Sequence, residues 1–294
     1  MDPGFRRDDG LQAAVPPVPM PMTRRTAMLG IVAATGGLLS GCAEGYFFHP
    51  DTRIYTTPAQ LGITVEEIVF GDEVKLHGWW MPAAGTPRAT LVQAHGNAAN
   101  VTNHVPLVAW LPAAGVNVLS FDYRGFGRSE GSPTLDGVVA DTRAALAQAR
   151  RQQVRPLPLV LLGQSLGGAT SVRALAEETA GDVKLLILDS AFASYRGIAR
   201  DAAGGLMSWL LPFALPSLPP EDRDPLIAMP RIRAPVLLLH GEQDSIIPIR
   251  HSERLHAATV TNKQFIRIAG GQHLDALSRP ALRAQVLDAI TSHI

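Results

Sequence analysis

Leu159-Val160-Leu161-Leu162-Gly163-Gln164-Ser165-Leu166-Gly167-Gly168 is the stretch that decides the fold. Four apolar residues run into a Gly-x-Ser-x-Gly, and residues 169–179 then read as a helix. The order is strand, sharp turn, helix. A serine at the apex of so tight a turn sits in a strained backbone conformation, and neighbours carrying a Cβ would collide with it, which explains the flanking glycines. The turn lifts the hydroxyl clear of the sheet. The following helix aims its N-terminal amides at any negative charge that develops there. Ser165 is therefore a candidate nucleophile. The alternative is a plain glycine-rich strand-to-helix turn.

Outward from this stretch, strands and helices alternate. Residues 64–70 and 74–81 are β-rich and flank Gly71-Asp72, so they read as an antiparallel hairpin. Of Trp79 and Trp80, one is expected to pack inward and the other to cover a sheet edge. Strands are expected at 89–94, 116–121, 157–163, 183–188, 235–239 and 264–268. Helices are expected at 101–113, from Ser132-Pro133 to about 151, after Pro248, and at about 280–290. The interior strands are continuous apolar runs, as in a mostly parallel sheet buried on both faces. In such α/β sheets ligands bind beyond the carboxyl ends of the strands. Residues 192–230 break the rhythm, and an apolar stretch around Leu206, Trp209 and Phe213 reads as a short inserted cap. The alternative there is an extra buried helix without contact to substrate.

The chain has 294 residues, 46% of them apolar, and a formal net charge of +0. That is enough for one sizeable core. A neutral balance gives no electrostatic case for nucleic acid. The lone cysteine, Cys42, leaves no intrachain disulfide.

The N-terminus reads as an address. Residues 1–21 hold five prolines and no apolar periodicity, and are expected to be disordered. From Met22 the pattern is Thr23-Arg24-Arg25, an apolar run from Ala27 to Leu39, and Leu39-Ser40-Gly41-Cys42. The run is shorter than the roughly 20 residues of a membrane-crossing helix and fits a secretory signal. Its ending resembles a bacterial lipoprotein lipobox. That resemblance implies cleavage before Cys42, a lipid on Cys42, and a mature chain of residues 42–294 held at the periplasmic side of a bacterial membrane. The twin arginines resemble a twin-arginine export signal, although two basic residues serve any signal. The alternatives are an uncleaved anchor helix and a spurious extension.

A serine hydroxyl needs a base beside it, and the base must be held by a third group. His273 follows the last strand after two glycines and is the candidate base. His240 sits where its strand is still ending, and His251 and His256 fall in a helix. For the acid, Asp244 follows the seventh strand in Gly241-Glu242-Gln243-Asp244, with Glu242 and Asp189 as rivals. Two amide donors would hold an oxyanion: the backbone N–H of Leu166 and that of Asn97, with Ala98 as the alternative to Asn97. His95 is expected to fix this loop. The scattered histidines give no metal-binding spacing, and no cofactor is expected.

The loops Gln93-Ala94-His95-Gly96-Asn97-Ala98, Asp122-Tyr123-Arg124-Gly125-Phe126-Gly127-Arg128-Ser129, Gly163 to Gly168 and His240 to Asp244 are similar to those of the α/β-hydrolases, in the branch that includes the eukaryotic depalmitoylase-like proteins. Ser165, Asp244 and His273 follow one another in that family's Ser…Asp…His order. The resemblance implies an α/β-hydrolase fold from about residue 65 onward and a serine hydrolase of the esterase, lipase or thioesterase kind. A peptidase or amidase with the same machinery, or a non-catalytic binding scaffold, are the rival readings. The apolar cap and lipid anchor favour a lipid-like acyl substrate. In the Asp-Tyr-Arg-Gly loop, Arg124 is expected to pin neighbouring loops.

Overall fold

The computed structural model describes residues 47–207 and 218–294. The expected signal segment, Cys42 and the middle of the expected cap lie outside the described residues.

Among the described residues, eight strands form one sheet: β1 (Glu66–Phe70), β2 (Leu76–Met81), β3 (Ala89–Ala94), β4 (Val116–Phe121), β5 (Leu159–Gln164), β6 (Val183–Asp189), β7 (Val236–Gly241) and β8 (Lys263–Ile268). Their order across the sheet is β1-β2-β4-β3-β5-β6-β7-β8. β2 runs antiparallel to both β1 and β4, and from β4 to β8 every pairing is parallel. The hairpin and the mostly parallel sheet are thus as expected.

The continuous apolar strands are explained by two cores. Leu159, Leu161, Leu186 and Leu188 pack in one. Helices α1 (Leu135–Gln152) and α2 (Leu166–Ala176) share that core through Leu146 and Val172. Val160, Leu162, Leu185 and Ile187 pack in the other, with Val286 and Ile290 of the last helix, Pro280–His293. Successive strand residues thus feed opposite faces. Trp80 belongs to the first core and Trp79 to the second, so both tryptophans are interior and neither covers an edge.

Two helix expectations are corrected. Residues 101–113 do not form one helix. An α turn, Val101–His104, gives way to 3-10 turns at Val105–Leu107 and Pro112–Ala114. Pro106 has no N–H to continue the ladder, and Pro112 opens the last turn. Helix α1 begins at Leu135 rather than at Ser132-Pro133, because the Thr134 hydroxyl caps it by accepting from Gly137 N–H at 3.0 Å. The base of the expected cap is α3 (Tyr195–Met207) on one side and short turns at Glu221–Arg223, Pro225–Ala228 and Met229–Arg231 on the other. The two arms are joined where Asp224 accepts from the Tyr195 N–H at 2.8 Å.

The strand order has a mechanical consequence. From β3 the chain winds outward to β4 on one side, then returns to β5 on the other. The carboxyl ends of β3 and β5 therefore diverge at a topological switch point, where open α/β sheets leave a crevice. Residue 97 follows β3 and Ser165 follows β5, so both stand at its mouth.

Candidate active site

Ser165 has φ 54° and ψ −114°, a left-handed conformation that a side chain rarely adopts. The turn is held by Ser165 N–H donating to Asp189 O at 2.9 Å and Gly168 N–H donating to Ser165 O at 3.0 Å. The glycines are sterically required. A Cβ on Gly167 would stand 1.9 Å from Ala94 O, and one on Gly163 would stand 2.5 Å from Gly167 O. Helix α2 starts at Leu166, so the Leu166 N–H is one of the four amides a helix leaves without an internal acceptor. Among the described residues the Ser165 hydroxyl and the Asn97 and Leu166 N–H groups make no hydrogen bond.

The structure brings Asp244 and His273 together. His273 Nδ1 lies 2.7 Å from Asp244 Oδ2. With Nδ1–H donating to the carboxylate, Nε2 keeps its lone pair, the form a general base needs. Asp244 Oδ1 accepts from the N–H groups of Ile246 (2.9 Å) and Ile247 (2.8 Å). Burial by itself would raise the Asp244 pKa. Hydrogen bonds from His240 and His273, the attraction of His273 and the Ile247 amide outweigh it and hold the carboxyl well below the usual range. Asp244 is therefore an anion throughout the neutral range.

The rivals are used otherwise. Glu242 is surface-exposed and pairs with Arg267 at 3.3 Å. Asp189 is fully buried under the elbow and accepts from Gln164 Nε2 at 3.3 Å. Burial pushes its pKa up to about 6. His240 Nε2 lies 2.8 Å from Ile247 O and 3.3 Å from Asp244 Oδ2, and its Nδ1 lies 2.7 Å from Ser252 Oγ, so it braces the acid loop. His251 accepts from Ala193 N–H at 3.1 Å and lies 2.8 Å from Asp201 on α3.

The loop after β3 is strained as well. Ala98 (φ 123°) and Ala99 (φ 61°) are both left-handed without being glycine. His95 is fully buried, with Nδ1 2.7 Å from Gly96 O, and burial lowers its pKa. Its ring stacks on His104 with centroids 5.2 Å apart. His95 thus fixes the loop as expected. Arg124 makes a forked pair with the buried Asp141 of α1, at 3.0 and 2.7 Å, and pins its own loop.

Residues 47–57 carry no motif in the sequence, yet they hold the β3 loop in place. Asn97 Nδ2 donates to Phe47 O, and Asn97 Oδ1 accepts from His49 N–H at 2.9 Å. Pro50 bridges Ala99, and Asn100 Nδ2 donates to Asp51 O (3.1 Å) and Arg53 O (2.8 Å). Tyr55 N–H donates to Thr102 Oγ1 at 3.0 Å. This strap leaves no local sequence signal, because its partners lie almost fifty positions away.

The family model described as serine aminopeptidase, S33 matches residues 85–229. The uncharacterized protein YfhR of Escherichia coli is 37% identical over 273 residues, covering 90% of this chain and 93% of that protein. The alpha/beta hydrolase domain-containing protein WAV2 of Arabidopsis thaliana is 32% identical over 269 residues, covering 84% of this chain and 86% of that protein. Among solved structures, an esterase of Pyrococcus furiosus superposes with a TM-score of 0.67 at 20% identity, over 83% of this chain and 97% of that one, a likeness of fold. With a nucleophile-type elbow at the switch point, this sheet order and these relatives, the chain belongs to the α/β-hydrolase superfamily.

Proposed function

We propose that this hydrolase cleaves carboxylic ester or thioester bonds through an acyl-enzyme on Ser165. The observation that carries the reading is the His273 Nδ1 to Asp244 Oδ2 contact of 2.7 Å, on the same sheet edge as the strained Ser165. The Ser165 Oγ attacks the carbonyl carbon while His273 Nε2 takes its proton. Asp244 holds the tautomer and offsets the imidazolium charge. The N–H groups of Leu166 and Asn97 receive the oxyanion. His273 then returns the proton to the leaving alkoxide or thiolate. Water, deprotonated by His273, frees the acid and restores Ser165.

The substrate class in this reading is lipid-like, supported by the apolar stretch of the expected cap and the lipobox-like Leu39-Ser40-Gly41-Cys42. Phe47 follows Cys42 by five residues. Five extended residues reach at most about 17 Å. A lipid on Cys42 therefore keeps the strap, and with it the serine's edge of the sheet, near the bilayer surface. An amide-cleaving activity is the second reading, favoured by the serine aminopeptidase family match. Matched acyl esters, thioesters and amides of graded chain length test both. Turnover of esters or thioesters that rises with chain length and vanishes in Ser165→Ala supports the first. Turnover confined to amides overturns it.

A further inference from the structure

Three left-handed, non-glycine residues meet at the carboxyl edge of the sheet: Ser165 (φ 54°), Ser190 (φ 53°) and Leu274 (φ 57°). Such residues persist only where their surroundings over-determine them. Here the surroundings are one another. Ser165 N–H donates to Asp189 O, and Ser190 N–H donates to Leu239 O, both at 2.9 Å. Leu274 N–H donates to Ser190 Oγ at 3.2 Å. The Ser190 hydroxyl in turn donates to Asp189 Oδ1 at 3.4 Å. All of this is dry: Asp189 and Ser190 are 0% exposed.

The Asp189-Ser190 dipeptide thus grips the candidate nucleophile through one carbonyl and the histidine loop through one hydroxyl. Below it the chain of bonds continues. Gln164 Nε2 donates to Asp189 Oδ2 at 3.3 Å, Gln93 Nε2 donates to Gln164 Oε1 at 2.7 Å, and Ser120 Oγ donates to Gln93 Oε1 at 2.5 Å. The buried polar path therefore crosses β4, β3, β5 and β6 and ends on the peptide that follows His273.

We infer that Ser190 is a positioning residue that sets where the His273 backbone stands relative to Ser165, an inference that rests on the hydrolase reading above. Asp244 and Ser190 divide the task. Asp244 holds Nδ1 and so fixes the rotation and tautomer of the ring. Ser190 holds the amide of Leu274 and so fixes the root from which the ring projects. A hydroxyl suits the place because one oxygen both accepts from Leu274 and donates to Asp189. Proton transfer from Ser165 needs both restraints, since a displacement of about 1 Å can cost on the order of 100-fold in rate. Ser190 touches no substrate in this scheme and moves no proton.

The test separates the hydroxyl from the strain. Ser190→Gly removes the hydroxyl and suits φ 53°, whereas Ser190→Ala removes it and keeps the strained backbone. Each full-length variant is measured for kcat and KM on an acyl ester, for the rate of Ser165 labelling by a fluorophosphonate, and for thermal unfolding. The expected result is an equal loss of kcat and labelling rate in both variants, about tenfold or more, with KM within about twofold, although Ser190→Gly unfolds at a higher temperature than Ser190→Ala. Wild-type kcat and labelling rate in folded Ser190→Gly overturn the inference, as does a loss that follows unfolding temperature instead of the hydroxyl. Failure of the hydrolase reading looks different: wild type itself then takes no label at Ser165.

Discussion

The Asn97 side chain is held at both ends by the strap that precedes β1: its Oδ1 accepts from the His49 N–H at 2.9 Å, and its Nδ2 donates to Phe47 O. The side chain that follows β3 is thereby fixed by residues almost fifty positions earlier, beside two alanines in left-handed conformations. The strap supplies the hydrogen bonds that keep this strained loop in one shape, and in the proposed mechanism the Asn97 backbone N–H is the oxyanion donor that shape presents.

Asn97→Ala should therefore lower kcat by about 10- to 100-fold while leaving KM and the far-ultraviolet spectrum close to wild type. The backbone donor remains, but its position is no longer enforced. Steady-state kinetics on an acyl ester check this, and an unchanged kcat would show that the strap does not act on the oxyanion site.

Acid should destabilise the fold through a buried histidine. Burial first, then the neighbouring His95 ring, lower the His104 pKa from 6.5 to about 3. His104 is neutral in the folded chain and takes a proton near pH 6.5 once unfolded. Its contribution is complete above pH 6.5 and is lost progressively as pH falls through 3, by up to about 5 kcal/mol. Urea unfolding from pH 7 to 4 measures the slope. His104→Gln should flatten it, and superimposable slopes would contradict the assignment.

Asp189 works in the opposite sense. Its pKa is raised by burial from 3.8 to about 6, so folding favours the protonated acid. Stability from this group is complete below pH 3.8 and declines as pH rises through 6, by about 3 kcal/mol at most. Asp189→Asn should remove that decline and be more stable than wild type at pH 8 relative to pH 4. Parallel stability curves for the two proteins would show that Asp189 bears no such penalty.

The lipobox-like ending at Cys42 makes a separate prediction. Expressed with its own N-terminus in a bacterium, the wild-type chain should sediment with membranes, and mass spectrometry should find acylated Cys42 at its start. Cys42→Ser should abolish the acylation. An intact, unmodified N-terminus on the wild-type protein would contradict the lipoprotein reading.

Much of the fold was legible because the interior strands are uninterrupted apolar runs, each ending in a glycine- or polar-rich loop. The elbow was legible for a stricter reason: Gly163 and Gly167 each stand where a Cβ would meet backbone oxygen, so the sequence has no freedom there. The pairing of Asp244 with His273 could be read from their places after the seventh and eighth strands. What escaped was long-range. The strap carries no periodicity, and its hydrogen bonds to Asn97, Ala99 and Asn100 are invisible in any local window. Ser190 escaped because one hydroxyl among many serines announces nothing. The interior place of both Trp79 and Trp80 escaped because nothing in the hairpin's own sequence shows that β1 pairs outside β2 and that both faces of β2 are covered.

The central claim is that Ser165 is an activated nucleophile with His273 as its base, and fluorophosphonate labelling of the purified wild-type chain tests it most directly, alongside Ser165→Ala and His273→Ala. Wild type should be labelled stoichiometrically on Ser165 and Ser165→Ala not at all, and labelling should slow by about 1,000-fold or more in His273→Ala. A folded wild-type chain that takes no label, or one labelled equally in Ser165→Ala, would contradict it.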